Sequence, residues 1–230
     1  VRVPDLALEP LVAEPGVDLG EVEVVRTRVP VIEEADVPRQ VVAATEAGVE
    51  VDLGALDAGD LEVYSGDVVR SCQIIEDAVA RIAEAGKIPL VLGGDHTVTW
   101  PDVTGVARSA GFGRVSIIHF DAHADTGDIE FGSLYGHGQP MRRLIESGAA
   151  RGDRFLQLGL RGYWPGPETL DWMADQNMRS FHMSEIVAKG LDRVLDEAFV
   201  IATDDCDGIF LSVDIDVCDP GHAPGTGTPE

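Results

Sequence analysis

Two periods of apolar residues alternate along most of this chain. Val68, Cys72, Ile75, Val79 and Ile82 recur every three or four positions, the spacing of one helix face. Ser65 or Asp67 is placed to cap that helix and Gly86 to end it. Short runs at 88–92, 115–120, 155–159, 179–183 and 209–213 each read as a strand, the one at 115–120 apolar with β-branched residues. Between them, Thr97 or Thr99 with Pro101 opens a helix to about Ala110. A short helix runs through Met141, Leu144 and Ile145, and residues 167–177 and 184–202 read as two more. Residues 1–48 hold no sustained period. Short strands are expected near 22–25 and 29–32 and a helix over 37–47, followed by a strand over 49–53 and a turn at 57–60. Strands alternating with helices predict parallel βαβ units, whose ligands gather at the C-terminal strand ends.

The chemistry sits at three of those ends. Val115 to Phe120 leads into Asp121, His123 and Asp125, alternate positions that share a face of an extended backbone. Three uncompensated polar groups at the end of a buried strand are expensive. A divalent cation removes that cost, and carboxylate with imidazole suits manganese, iron, nickel or zinc. Taken alone, the stretch also fits a hydrogen-bonded strand-end turn. Two further runs break the tie, one ending at Gly93-Gly94-Asp95-His96 and one at Ser212-Val213-Asp214-Ile215-Asp216. His96, Asp121, His123, Asp125, Asp214 and Asp216 are too many ligands for one zinc-like site and suit two ions that share a bridge.

Gly-Gly-Asp-His at 93–96, Asp-Ala-His-Ala-Asp at 121–125, His-Gly-Gln-Pro at 137–140 and Ser-Val-Asp-Ile-Asp-Val-Cys-Asp-Pro at 212–220 occur in one order. Ala-Pro-Gly-Thr-Gly-Thr-Pro-Glu follows at 223–230. Together these motifs resemble the ureohydrolase family of arginases, agmatinases and guanidino-acid hydrolases, over about residues 55–230 and closest to agmatinase. The resemblance implies a three-layer α/β/α fold with a mainly parallel sheet, arginase/deacetylase-like. It implies a binuclear-metal hydrolase that cleaves a guanidino compound, agmatine first, to urea and an amine. A guanidino-acid or small-guanidine hydrolase and a non-catalytic paralogue are the alternatives. It also implies two manganese ions, with nickel possible. His96 and Asp125 would hold one ion, His123 and Asp216 the other, and Asp121 and Asp214 would bridge them. His137 would carry a proton to the leaving amine; histidine is the side chain that titrates nearest neutrality. Asp125 and His137 are thus the catalytic candidates, and Arg161, Tyr163 and Trp164 the candidates for lining the substrate pocket. A trimer or hexamer is implied by resemblance alone.

By the same resemblance, residues 1–230 form a single domain, atypical over 1–48 and stopping before a family strand and glutamate. Composition narrows the rest. The net charge of −24 argues against nucleic acid or an anionic membrane as partner. Cys72, Cys206 and Cys218 show no paired spacing, which points to a reducing compartment, with the cytoplasm as default. His119 reads as a core or supporting residue, Asp95 and Asp219 as ligand-orienting or turn-capping, and Ser212 as a hydrogen-bonding neighbour. The 223–229 segment reads as a rigid wall of the site.

Overall fold

A computed structural model describes residues 22–28, 39–44 and 50–230, with side chains from residue 58 onward. The strands are β1 (Val22–Arg28), β2 (Arg39–Ala44), β3 (Glu50–Glu62), β4 (Ile88–Leu92), β5 (Val115–Phe120), β6 (Phe155–Leu160), β7 (Arg179–His182) and β8 (Gly208–Val213). The helices are α1 (Val68–Glu84), α2 (Thr99–Ala110), α3 (Pro140–Glu146), α4 (Pro167–Asp175), α5 (Met183–Lys189) and α6 (Leu191–Ala202). The strands form two four-stranded sheets, in the orders β2-β3-β1-β4 and β7-β6-β5-β8. Among the pairs of these described strands, β2 with β3 is antiparallel and the others are parallel.

Alternation along the central strands makes the layers. Ile117 of β5 and Phe155 of β6 pack with Val103 and Ala107 of α2 and Met141 and Leu144 of α3. Ile118 of β5 and Leu156 and Leu158 of β6 point the other way, into Val194, Ala198 and Ala202 of α6. A sheet with apolar residues on both faces needs helices on both faces. Helix α1 lies against α2 closely enough that a Cβ at Gly105 would stand 2.8 Å from the Glu76 carbonyl oxygen. Glycine is what lets the two backbones approach.

The sequence reading is corrected at three places. The helix expected over 37–47 is the strand β2 across its described part. Residues 57–60, expected as a turn, continue the long strand β3. The single helix expected over 184–202 is two helices, because Gly190 adopts φ 87° between them. The mainly parallel strands with helices on both faces agree with the three-layer α/β/α expectation, and between the two sheets β4 and β8 do not pair but line a cavity of about 800 Å³. The strand expected at 29–32 lies outside the described residues. Asp67 rather than Ser65 caps α1, accepting the Arg70 N–H at 3.0 Å. No helix among the described residues is long and apolar enough to cross a membrane.

Candidate metal centre

Strand pairing brings the three motif-bearing ends together. β5 has β6 on one side and β8 on the other, and the ladder runs past the strands, with the Asp214 N–H on the Phe120 carbonyl at 2.9 Å. His96 arrives from the turn after β4, where Asp95 accepts the Thr97 N–H at 3.0 Å and fixes the bend. Asp125 sits at φ 51°, a left-handed conformation that aspartate tolerates better than most residues.

His96 is the hub. Its Nδ1 lies 3.1 Å from Asp121 Oδ2, 3.0 Å from Asp125 Oδ2 and 3.1 Å from Asp214 Oδ2. Yet this buried nitrogen makes no well-directed hydrogen bond to any of them. One ring nitrogen cannot serve three carboxylates with one proton. A cation among the four atoms can, since neighbouring donors around an octahedral ion with bonds of about 2.1 Å lie about 3.0 Å apart. Nε2 of the same ring contacts Ser212 Oγ at 2.8 Å, which in turn lies 3.3 Å from Thr99 Oγ1. That leaves Nδ1 for the cluster.

A second group adjoins the first. His123 Nδ1 stands 3.0 Å from Asp216 Oδ2 and 3.5 Å from Asp121 Oδ1. Asp121 therefore turns one oxygen toward each group. The described residues thus hold two sets able to take a metal ion, His96-His119-Asp121-Asp125 and Asp121-His123-Asp216, joined through Asp121. Asp214 sits beside the first set, its other oxygen accepting the Asp216 N–H at 3.0 Å. The donor chemistry and spacing fit a pair of divalent ions.

Electrostatics say the same. Burial works against charge on His96, but the close carboxylates of Asp121, Asp125 and Asp214 raise its pKa to about 12. Asp121 and Asp216 raise the His123 pKa to about 10, partly opposed by burial. Burial favours the neutral form of Asp121, yet His119, His123 and His96 hold its carboxyl well below the usual range. Burial pushes the Asp125 carboxyl up. The cluster calls for positive charge, as protons or as metal, so the two compete. In chelator-treated protein the His123 pKa is raised above its unfolded value of about 6.5. Its contribution is complete below that value and lost as pH rises through about 10. Denaturant titrations between pH 6 and pH 10 are expected to show the chelated protein losing stability across this window faster than manganese-loaded protein. Parallel curves would contradict this.

Supporting residues lie behind the ligands, His119 as the sequence expected and others without a signal. His119, fully buried, places Nε2 2.7 Å from Asp121 Oδ2. Gln157 donates to the Ala124 carbonyl at 2.7 Å, lies 3.4 Å from His119 Nδ1, and accepts from Ser180 Oγ at 3.0 Å. Gln157 and Ser180 carry no motif; only their place on the central strands marks them. Thr228, expected in a passive wall, donates its hydroxyl to Asp216 Oδ2 at 3.0 Å. Asp95 and Asp219 cap turns.

A cavity of about 830 Å³ opens over the ligands, and His123, Asp125, Glu130, His137, Trp164 and Thr228 are among its lining residues. His137 and Trp164, both singled out in the sequence, are among these lining residues. The other two pocket candidates are not among them. Tyr163 is 94% exposed and outside this lining. Arg161 is absent from the lining too, with its guanidinium spent on backbone carbonyls. Glu130 is a lining residue that the sequence did not single out.

A model of the arginase family matches residues 31–230. The chain is 38% identical over 191 residues to a mitochondrial agmatinase of Gallus gallus, covering 82% of this chain and 54% of that one. It is 36% identical over 189 residues to a guanidinobutyrase of Pseudomonas aeruginosa, covering 81% and 57%. The chain therefore spans about half the length of these relatives. In fold, it is similar to the crystal structure of a Bacillus subtilis formimidoylglutamase, with TM-score 0.79 at 24% identity, covering 100% of this chain and 78% of that one.

Proposed function

The chain belongs to the arginase family, and from that premise we propose that it hydrolyses a guanidino compound with a cationic far end, agmatine first, to urea and an amine. The observation that carries this reading is the lining of the cavity over the ligand cluster. Glu130 joins the cluster carboxylates there, and no lysine or arginine is among the described lining residues. A carboxylate-tailed guanidine would meet like charge, whereas an ammonium would meet its complement.

In this reading His96 and Asp125 would hold one divalent ion, His123 and Asp216 the other, and Asp121 and Asp214 would serve both. Manganese is the first choice and nickel the second, because the set is rich in oxygen with two imidazoles. Ions held there would supply water activated near neutral pH. The chain's own residues do the rest. Trp164 walls the cavity beside the planar guanidinium, and Glu130 faces the cationic far end. Water adds to the guanidinium carbon, the bond from that carbon to the alkyl-bearing nitrogen breaks, and His137 gives that nitrogen its proton. A single domain over 1–230, a trimeric or hexameric assembly and a cytoplasmic setting complete the proposal.

The test is urea release from manganese-supplied protein with agmatine, 4-guanidinobutyrate, 3-guanidinopropionate and arginine. Agmatine is expected to exceed the acids in kcat/KM by about tenfold or more, the size of a difference of ~1.4 kcal/mol. A preference for either guanidino acid would overturn the cationic-tail reading. No urea from any of them would overturn the hydrolase reading.

A further inference from the structure

Arg161 follows β6 and ties together two strand ends that carry candidate ligands. Its backbone N–H donates to the Ala122 carbonyl at 3.0 Å, between Asp121 and His123. Its guanidinium reaches past the end of β5, because β6 and β8 flank that strand on opposite sides. Nη2 donates to the carbonyls of Asp216 at 2.7 Å and Cys218 at 3.1 Å. Nη1 donates to those of Val217 and Gly159, both at 3.3 Å, and Nε to that of Glu230 at 3.1 Å. Every N–H of the fork has a carbonyl acceptor, so none is left for a substrate carboxylate.

The acceptors matter as much as the donor. Asp216 to Cys218 end the short 3-10 turn Ile215–Val217 that follows Asp214, and carbonyls at such an end lack intrahelical partners. The Asp216 side chain is held from elsewhere, by the Ala122 N–H on Oδ1 at 3.1 Å and Thr228 on Oδ2. Arg161 holds its main chain. We infer that Arg161 is a positioning residue that sets the spacing between the ligand-bearing ends of β5 and β8, and with it the His123–Asp216 donor pair. The inference rests on the proposed metal role of those residues. A lysine cannot replace it, because a point charge on a flexible stem cannot reproduce a planar fork that binds consecutive carbonyls.

The experiment compares wild type with Arg161→Lys and Arg161→Met. It measures manganese affinity and stoichiometry by calorimetry, thermal unfolding in EDTA, and KM for the best guanidine. Both variants are expected to bind one ion about 10–100-fold more weakly, as loss of a residue that orients ligands typically does, with KM little changed at saturating manganese. Arg161→Lys keeps length and charge, so it reports on the fork if Arg161→Met does not fold. Wild-type manganese affinity in the folded variants would overturn the inference, even if they unfold earlier in EDTA. A large rise in KM with intact metal binding would return Arg161 to the substrate. A wild-type protein that binds no manganese would instead sink the metal reading, and this inference with it.

Discussion

Asp121→Ala is expected to abolish binding of both metal ions, while Asp125→Ala loses only the ion beside His96. Asp121 belongs to both donor groups found among the described residues, one oxygen 3.1 Å from His96 Nδ1 and the other 3.5 Å from His123 Nδ1. Asp125 belongs to the first group alone, at 3.0 Å from His96. Bound metal contributes several kcal/mol to transition-state stabilisation, so urea release should fall on the order of 10³-fold or more in both variants. The alanine also strips His119 Nε2, fully buried, of its partner at 2.7 Å, and an orphaned buried polar group is costly. Circular dichroism on the same samples separates metal loss from unfolding. If Asp121→Ala folds and keeps one ion at wild-type affinity, the shared-carboxylate geometry is wrong.

His137→Ala should leave metal content intact and still slow turnover. His137 lines the cavity but belongs to neither donor group. General acids typically contribute about 10²–10⁴-fold, and that loss is expected in kcat at saturating manganese. Metal content falling in step with rate would make His137 a ligand or a structural support. An unchanged kcat would hand the proton transfer to another group.

The elements with strong periods and the ligands at strand ends were legible because each rests on local pattern. Strand β5 and its Asp121, His123 and Asp125 obey the alternation that any extended chain imposes. Helix α1 shows in the spacing of Cys72, Ile75, Val79 and Ile82, all buried. What stayed hidden depends on distant partners. Nothing in the local sequence of β2 marks it as a strand; its pairing with β3 does. Arg161 looked like a substrate contact because it follows a strand end near the site. Only the course of β8 beside β5 shows that its fork is taken by carbonyls some 55 residues away. Gln157 and Ser180 looked like ordinary strand residues until β6 and β7 set them behind His119. Glu130 sat in a loop without a period, and its inward face emerged only with the cavity.

The most direct test of the central claim is the manganese stoichiometry of the purified protein, by elemental analysis after loading and removal of free ion. The geometry around His96, Asp121 and His123 predicts two ions per chain, with binding that tightens as pH rises and protons leave the two histidines. One ion or none in correctly folded protein would contradict it, and the three strand ends would then be a hydrogen-bonded polar cluster without a metal.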